Sequence, residues 1–349
     1  MITNLVSDLS SAVMRRTTVT RLQADLSKAQ AEASTGRIAD RGLALGANSR
    51  MLVDLNQQVQ HIDNIKTMNA TVSARLDVTQ NSLGSMSSIV TNMVNILVQA
   101  KTSGGDMGLV QKSAQDALAS LNDKLNTSFN GQYLFAGVNT DVRPVSVNPN
   151  DAGATGRAAV DASFMTAFGM SSTDPSVVNI DPTAMSNYLD GSFSGLFDGA
   201  GWSSSFSSAS DKTIRSRVSM TEVVDSSVTA DSTAFRDVTK ALTMVAQLGL
   251  GGMGATTSSA VIDKAISALT TGQQEFISIQ AQIGSVQTRV SDATERLTIQ
   301  SQSLAKTIGS MQDVDPAEVA IRFNSLSTQI QTAYALTSRI QQLSLLKYL

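Results

Sequence analysis

Between residues 52 and 101 apolar side chains return every seven positions, at Leu55, Ile62, Leu76, Leu83, Val90 and Leu97, with Asn69 the one polar member of the series. Ile65, Val72, Met86, Met93 and Ala100 follow most of them three residues later. A repeat averaging 3.5 residues keeps one seam of a helix turned toward a partner, so this stretch predicts a coiled-coil arm. Gly84 lies inside it and should cost about 1 kcal/mol relative to alanine. A second, shorter helix is predicted from about Gly108 to Ser128, carrying Ala114, Leu118, Leu121 and Leu125.

Near the other end the repeat returns without a break at Ile262, Leu269, Phe276, Ile283, Val290, Leu297, Leu304 and Met311. Four residues after these stand Ile266, Gln273, Gln280, Gln287, Thr294, Ser301 and Ile308, so the seam is half apolar and half glutamine or hydroxyl. Two such arms predict a bundle, because a helix draws most of its stability from the face it buries.

The chain ends form a third layer. Residues 3 to 34 carry a weaker stripe through Leu5, Leu9, Ala12, Val19, Leu22, Leu26, Ala29 and Ala33. After Asp315, Pro316 and Glu318 give a helix-start signal of capping residue, proline in the first turn and a carboxylate near the positive end of the dipole. The helix they open is predicted to run to Leu349. On it Ile330, Ala333, Thr337, Ile340 and Ser344 share a stripe, while Leu336, Leu343, Leu346 and Leu349 form an apolar edge. Incomplete stripes of this kind need a partner, and head-to-tail contacts between copies build helical assemblies. Leu5, Leu9, Ala12, Leu22, Leu26, Phe323, Leu326, Ile330, Leu336, Ile340, Leu343, Leu346 and Leu349 are the candidate interface residues, with the two ends pairing with each other and with neighbouring subunits.

From Thr140 to Ala255 the texture changes to Gly, Ser and Asp, with Pro144, Pro149, Pro175 and Pro182 and much of the aromatic content, Trp202 included. "RPVSVN", "SVVNID" and "TIRSRVSM" alternate as strands do, and "AFRDVTKALTMVAQL" reads as an amphipathic helix. The expected fold is mainly α, a long helical coiled-coil bundle formed by the N- and C-terminal segments with an inserted α+β domain. Its expected divisions are 1–40 and 313–349 as paired end helices, 41–140 and 256–312 as arms, and 141–255 as the insert.

Composition removes several functions. The chain has 26 basic and 29 acidic residues and no basic run, which argues against nucleic acid. With no cysteine and one histidine, thiolate zinc sites and cysteine nucleophiles are excluded. No run of about 18 apolar residues predicts a membrane span, and "MITNLVSDLSSAVMRR" does not read as a cleaved secretion signal. His61 has no second histidine or cysteine to help it hold a metal, and reads as a solvated or satisfied helical side chain. "LGLGGMGATTSS" lacks the strand and spacing of a phosphate loop and reads as a connector. Tyr188, Phe193, Phe197 and Trp202 could line a pocket, as in a secreted enzyme or adhesin on a helical stalk, or pack as a small core. Arg15, Arg16, Arg21, Arg37, Arg41 and Arg50 suit either a solvated face or a lateral contact in an assembly. No enzymatic activity and no cofactor are expected.

The segments "ASTGRIADRGLALGANS" (33–49), "LNTSFNGQYLFAGVNTDVRPV" (125–145) and the closing "YALTSRIQQLSLLKYL" resemble the flagellin family of axial proteins of the bacterial flagellum. "IADRGLALG" departs from the serine, aspartate and proline cluster usual after "STGR". "NGQYLFAG" resembles the family's hook–filament junction branch more than its filament subunits. The resemblance implies export through the flagellar type III route without cleavage, with a flagellar export chaperone on the C-terminal helix. It further implies a homo-oligomeric ring between hook-associated protein 1 and the flagellin filament, outside the cell; a filament flagellin is the nearest alternative.

Overall fold

The computed structural model describes residues 2–146 and 149–345, the side chains of 2–9, 11, 12, 47 and 341–345 excepted. The chain divides into two compact units, one made of Met1–Asn64 and Thr298–Leu349, the other of Ile65–Leu297. Leu346 and Leu349 lie outside the described residues.

In the first unit, α1 (Ile2–Thr35) packs against α10 (Pro316–Leu345). The short α2 (Arg41–Leu45) opens on Asp40, whose Oδ1 accepts from the Leu43 amide at 3.1 Å. The beginning of α3 (Ser49–Ser103) and the end of α9 (Ala255–Gln312) also belong here. Leu52, Leu55 and Ile308 close a small core with Leu45, Val59, Leu304 and Met311 around it. The heptad positions at this end are therefore used, although Leu304 and Met311 are only half-buried.

In the second unit the heptads bury fully: Leu76, Leu83, Val90 and Leu97 on α3, and Ile262, Leu269, Phe276, Ile283 and Val290 on α9. The glutamine row has a definite task. Gln287 Nε2 donates to Asp77 Oδ1 at 2.6 Å, Gln280 O accepts from Gln80 Nε2 at 3.4 Å, Gln273 Nε2 donates to Ser87 Oγ, and Lys101 pairs with Asp263. As the α3 number rises the α9 number falls, so the helices are antiparallel, with a polar border fixing register beside the apolar seam.

Asn69, the polar member of the α3 repeat, is 1% exposed. Its Nδ2 donates to Thr294 Oγ1 across the seam and to the Val218 carbonyl, both at 2.9 Å. Val218 lies next to a hairpin of β3 (Arg215–Arg217) and β4 (Val223–Asp225), which Glu222 also ties to α9 through Arg289 at 3.0 Å and Arg296 at 3.3 Å. One buried amide thus sets register and fastens the hairpin. Asn69→Leu keeps the branched shape and removes the donor serving both oxygens. It is expected to cost about 1–3 kcal/mol, read as a lower urea midpoint; an unchanged midpoint would refute this role.

The helix predicted after the first arm is α4 (Met107–Leu125), and "AFRDVTKALTMVAQL" supplies α8 (Thr233–Gln247), which packs along α4. Between them lie α5 (Thr155–Phe168), α6 (Pro182–Tyr188) and α7 (Gly199–Ser205). The 141–255 segment, expected as a separate α+β domain, closes no core of its own: Phe164, Phe193, Phe197 and Trp202 join one continuous cluster with the arms. Its strand content is also smaller than expected. "TIRSRVSM" contains β3, but the described residues of "RPVSVN" contribute a bridge from Val145 to Ser207, and most of "SVVNID" lies in a 3-10 turn over Pro175–Asn179. There Asp174 accepts from the Ser176 amide at 2.8 Å and Pro175 supplies a preset φ, so capping overrides the alternating pattern.

The glycine-rich connector makes a close approach. At Gly249, φ is +74°, and a Cβ would lie 1.8 Å from the Ser172 carbonyl oxygen. Only glycine fits such a close approach of two backbones.

Candidate assembly interface

The end helices meet in an antiparallel pair. Asp315 Oδ1 accepts from the Ala317 amide at 2.8 Å, capping α10 where the sequence predicts its start. Val319 (1% exposed) and Ile330 (9%) of α10 and Ala29 (1%) of α1 are buried in this pair, and Leu22, Leu26, Phe323, Leu326 and Ile340 are half-buried. Among the described residues charged or polar links cross it: Glu32 pairs with Arg322, and Gln23 Nε2 donates to Tyr334 Oη at 2.6 Å.

The loops beside this pair are laced by backbone hydrogen bonds. Ile38 N donates to Gln312 O at 2.8 Å and Val314 N to Gly36 O at 3.0 Å, while Glu32 Oε1 accepts from the Ala39 amide at 3.1 Å. These bonds hold both entry points of the helix pair together, so neither helix can rotate about its axis without breaking them.

Other apolar side chains lie on the surface: Val13 (59% exposed), Met14 (70%), Ile321 (71%) and Leu336 (56%). Met14, Val19, Ala333 and Leu336 line an open groove of about 380 Å³ with Arg15, Thr18 and Thr337. Of the predicted interface residues, the structure thus places Leu22, Leu26, Phe323, Leu326, Ile330 and Ile340 in the intramolecular seam and Leu336 outside it. Ala33, read as part of the α1 stripe, is exposed. Leu5, Leu9, Ala12 and Leu343 fall within the two helices, their side chains outside the description. Val13, Met14 and Ile321 were missed in the sequence, since they lie off the strongest stripe; a search for apolar residues on the opposite face would have found them.

The remaining candidates for chemistry resolve into packing. His61 is exposed on α3, and among the described residues no group of three or more His, Cys, Asp or Glu side chains could hold a metal. No described helix is long and apolar enough to cross a membrane. Tyr188, Phe193, Phe197 and Trp202 form a run of touching rings, with centroids 5.7 Å apart for Tyr188 and Phe193 and 5.2 Å for Phe193 and Phe197. Burial pushes the Tyr188 phenol up to about 12, as expected for a core ring.

The "NGQYLFAG" segment is a structural node. Asn130 (φ +50°) and Gly131 (φ +78°) make the two-residue turn between β1 (Ser128–Phe129) and β2 (Gln132–Tyr133). Positive φ at both turn positions matches the twist of paired strands, and Asn-Gly is the sequence that best tolerates it. Arg75 of α3 holds the hairpin through Gln132 Oε1 at 3.2 Å and the Tyr133 carbonyl at 3.4 Å. Leu134, Phe135 and Ala136 then enter the core.

Residues 6–140 match the family model described as the bacterial flagellin N-terminal helical region, and residues 259–349 the one described as the bacterial flagellin C-terminal helical region. A solved structure described as that of a flagellar hook-associated protein from Vibrio parahaemolyticus is similar, at 14% identity and a TM-score of 0.42, over 77% of this chain and 96% of that one. No curated protein matches the chain.

Proposed function

The chain belongs to the flagellin family of structural, non-enzymatic flagellar components, and on that premise we propose that it forms the junction between hook-associated protein 1 and the flagellin filament, as a ring of identical subunits. The observation that carries assembly is the outward apolar face of the α1–α10 pair, with Val13, Met14, Ile321 and Leu336 each more than half exposed. Exposed apolar surface beside a groove marks a place where another protein sits, and contacts between unlike faces of identical chains close into rings or continue into tubes. Support for the junction, as against the filament, comes from the 125–145 segment, whose resemblance is to the junction branch. Before assembly the same face needs cover, which suits an export chaperone on α10 and delivery through the flagellar export route to the outside of the cell.

Immunogold labelling of intact flagella with antibody against residues 141–255 tests the position. Gold at a single spot where hook meets filament is expected. Gold along the whole length would make the chain a filament subunit, and flagella without gold would exclude it from the finished organelle.

A further inference from the structure

Four buried polar atoms without a hydrogen-bond partner belong to side chains around one small cavity in the second unit: Trp202 Nε1, Asn122 Oδ1, Thr239 Oγ1 and Gln247 Oε1. Their residues come from α7, α4 and α8 and are 1%, 4%, 3% and 2% exposed. Isolated unpaired atoms of this kind are rare in native interiors, and four around one cavity have a common explanation. The cavity measures about 10 Å³, the size that admits one water.

The orientation of the two amides is already fixed. Asn122 Nδ2 donates to the Ser146 carbonyl at 3.2 Å and Gln247 Nε2 to the Pro149 carbonyl at 2.8 Å, which leaves both amide oxygens as the free atoms. The free set is therefore two acceptors, one N–H donor and one hydroxyl that can donate. We propose that the cavity binds a single buried water, which accepts from the Trp202 indole N–H and the Thr239 hydroxyl and donates to Asn122 Oδ1 and Gln247 Oε1. Two lone pairs and two protons satisfy all four groups at once. A cation would face the indole N–H, an anion would face two carbonyl oxygens, and an apolar group would satisfy none. The water links α7 to α4 and α8, and through the two amides to the chain at 146 and 149. It stands apart from the assembly role of the end helices.

Trp202 is the only tryptophan, so its indole proton gives one resolved resonance in the 1H–15N spectrum of the full chain. The expected result is a through-space cross-peak from that proton to a long-lived water. Thr239→Val, nearly isosteric, removes one partner and is expected to shift the indole resonance and speed its exchange with solvent while the far-UV spectrum keeps its helical form. The proposal is overturned if the unaltered chain shows no water cross-peak. It is equally overturned if crystallographic density shows the cavity dry, or if Thr239→Val leaves the indole resonance where it was.

Discussion

Met14→Glu combined with Leu336→Glu is expected to abolish incorporation into the flagellum while leaving the free subunit about as stable as before. Both side chains are largely exposed in the single chain, at 70% and 56%, and surface substitutions of this kind usually change stability by no more than about 0.5 kcal/mol. In a subunit contact the same two positions would be dry. A carboxylate trapped there without a partner costs several kcal/mol, and each 1.4 kcal/mol weakens a contact about tenfold. The penalty recurs at every subunit of a closed assembly. Thermal unfolding by circular dichroism and immunogold counts on flagella from cells carrying the variant give the two readings. Ala29→Glu is the control, because Ala29 lies in the intramolecular seam and a charge there should lower the unfolding temperature as well. Normal incorporation of the double variant would show that the outward face is not the contact.

The same pair of helices shows how far the sequence could be read. Periodicity located Ile330, Ile340 and Leu336 on α10 but could not say which of two apolar edges α1 would cover. Ile330 went inward at 9% exposed and Leu336 stayed outside. That choice depends on the partner's own stripe and on links such as Glu32 to Arg322, which join residues 290 positions apart. The arms were legible because a seven-residue repeat over many turns admits few readings, and Asn69 stood out as its single exception. Its partners, Val218 and Thr294, are distant in sequence and could not be named from it.

Other losses were of local signals. Asp315–Pro316 signals a helix start, and the same dipeptide stands at Asp174–Pro175 and Asp181–Pro182, where the neighbouring residues also alternate as a strand would. Both aspartates cap in the structure: Asp181 Oδ1 accepts from the Thr183 amide at 2.9 Å and the Ala184 amide at 3.1 Å. In runs of five or six residues a capping signal is the stronger evidence, because it names a specific bond where alternation names only a period. Likewise "NGQYLFAG" served as a family signature when its first two residues already specified a hairpin turn.

Phe235→Ala is expected to cost about 3–5 kcal/mol, a large share of the 5–15 kcal/mol that holds a typical domain. Phe235 is fully buried on α8 and meets Phe135 edge-on at 5.5 Å and Phe276 at 5.3 Å. It therefore joins the end of the "NGQYLFAG" segment to α8 and to the heptad seam of α9. Removing the ring leaves a cavity among three elements that cannot all move inward together, since α9 is pinned to α3 by Gln273, Gln287 and Thr294. Phe168→Ala, at a half-buried ring beside Phe164 and Tyr188, is expected to cost distinctly less. Denaturant unfolding of the full chain can be followed by two signals, far-UV dichroism for the long helices and Trp202 emission for the insert. If residues 65–297 share one core, Phe235→Ala shifts both transitions to the same lower midpoint, although the rings beside Trp202 are Phe197 and Phe206 and those beside Phe235 are Phe135 and Phe276. A shift in the dichroism alone would mean that the insert folds independently, as the sequence by itself had suggested.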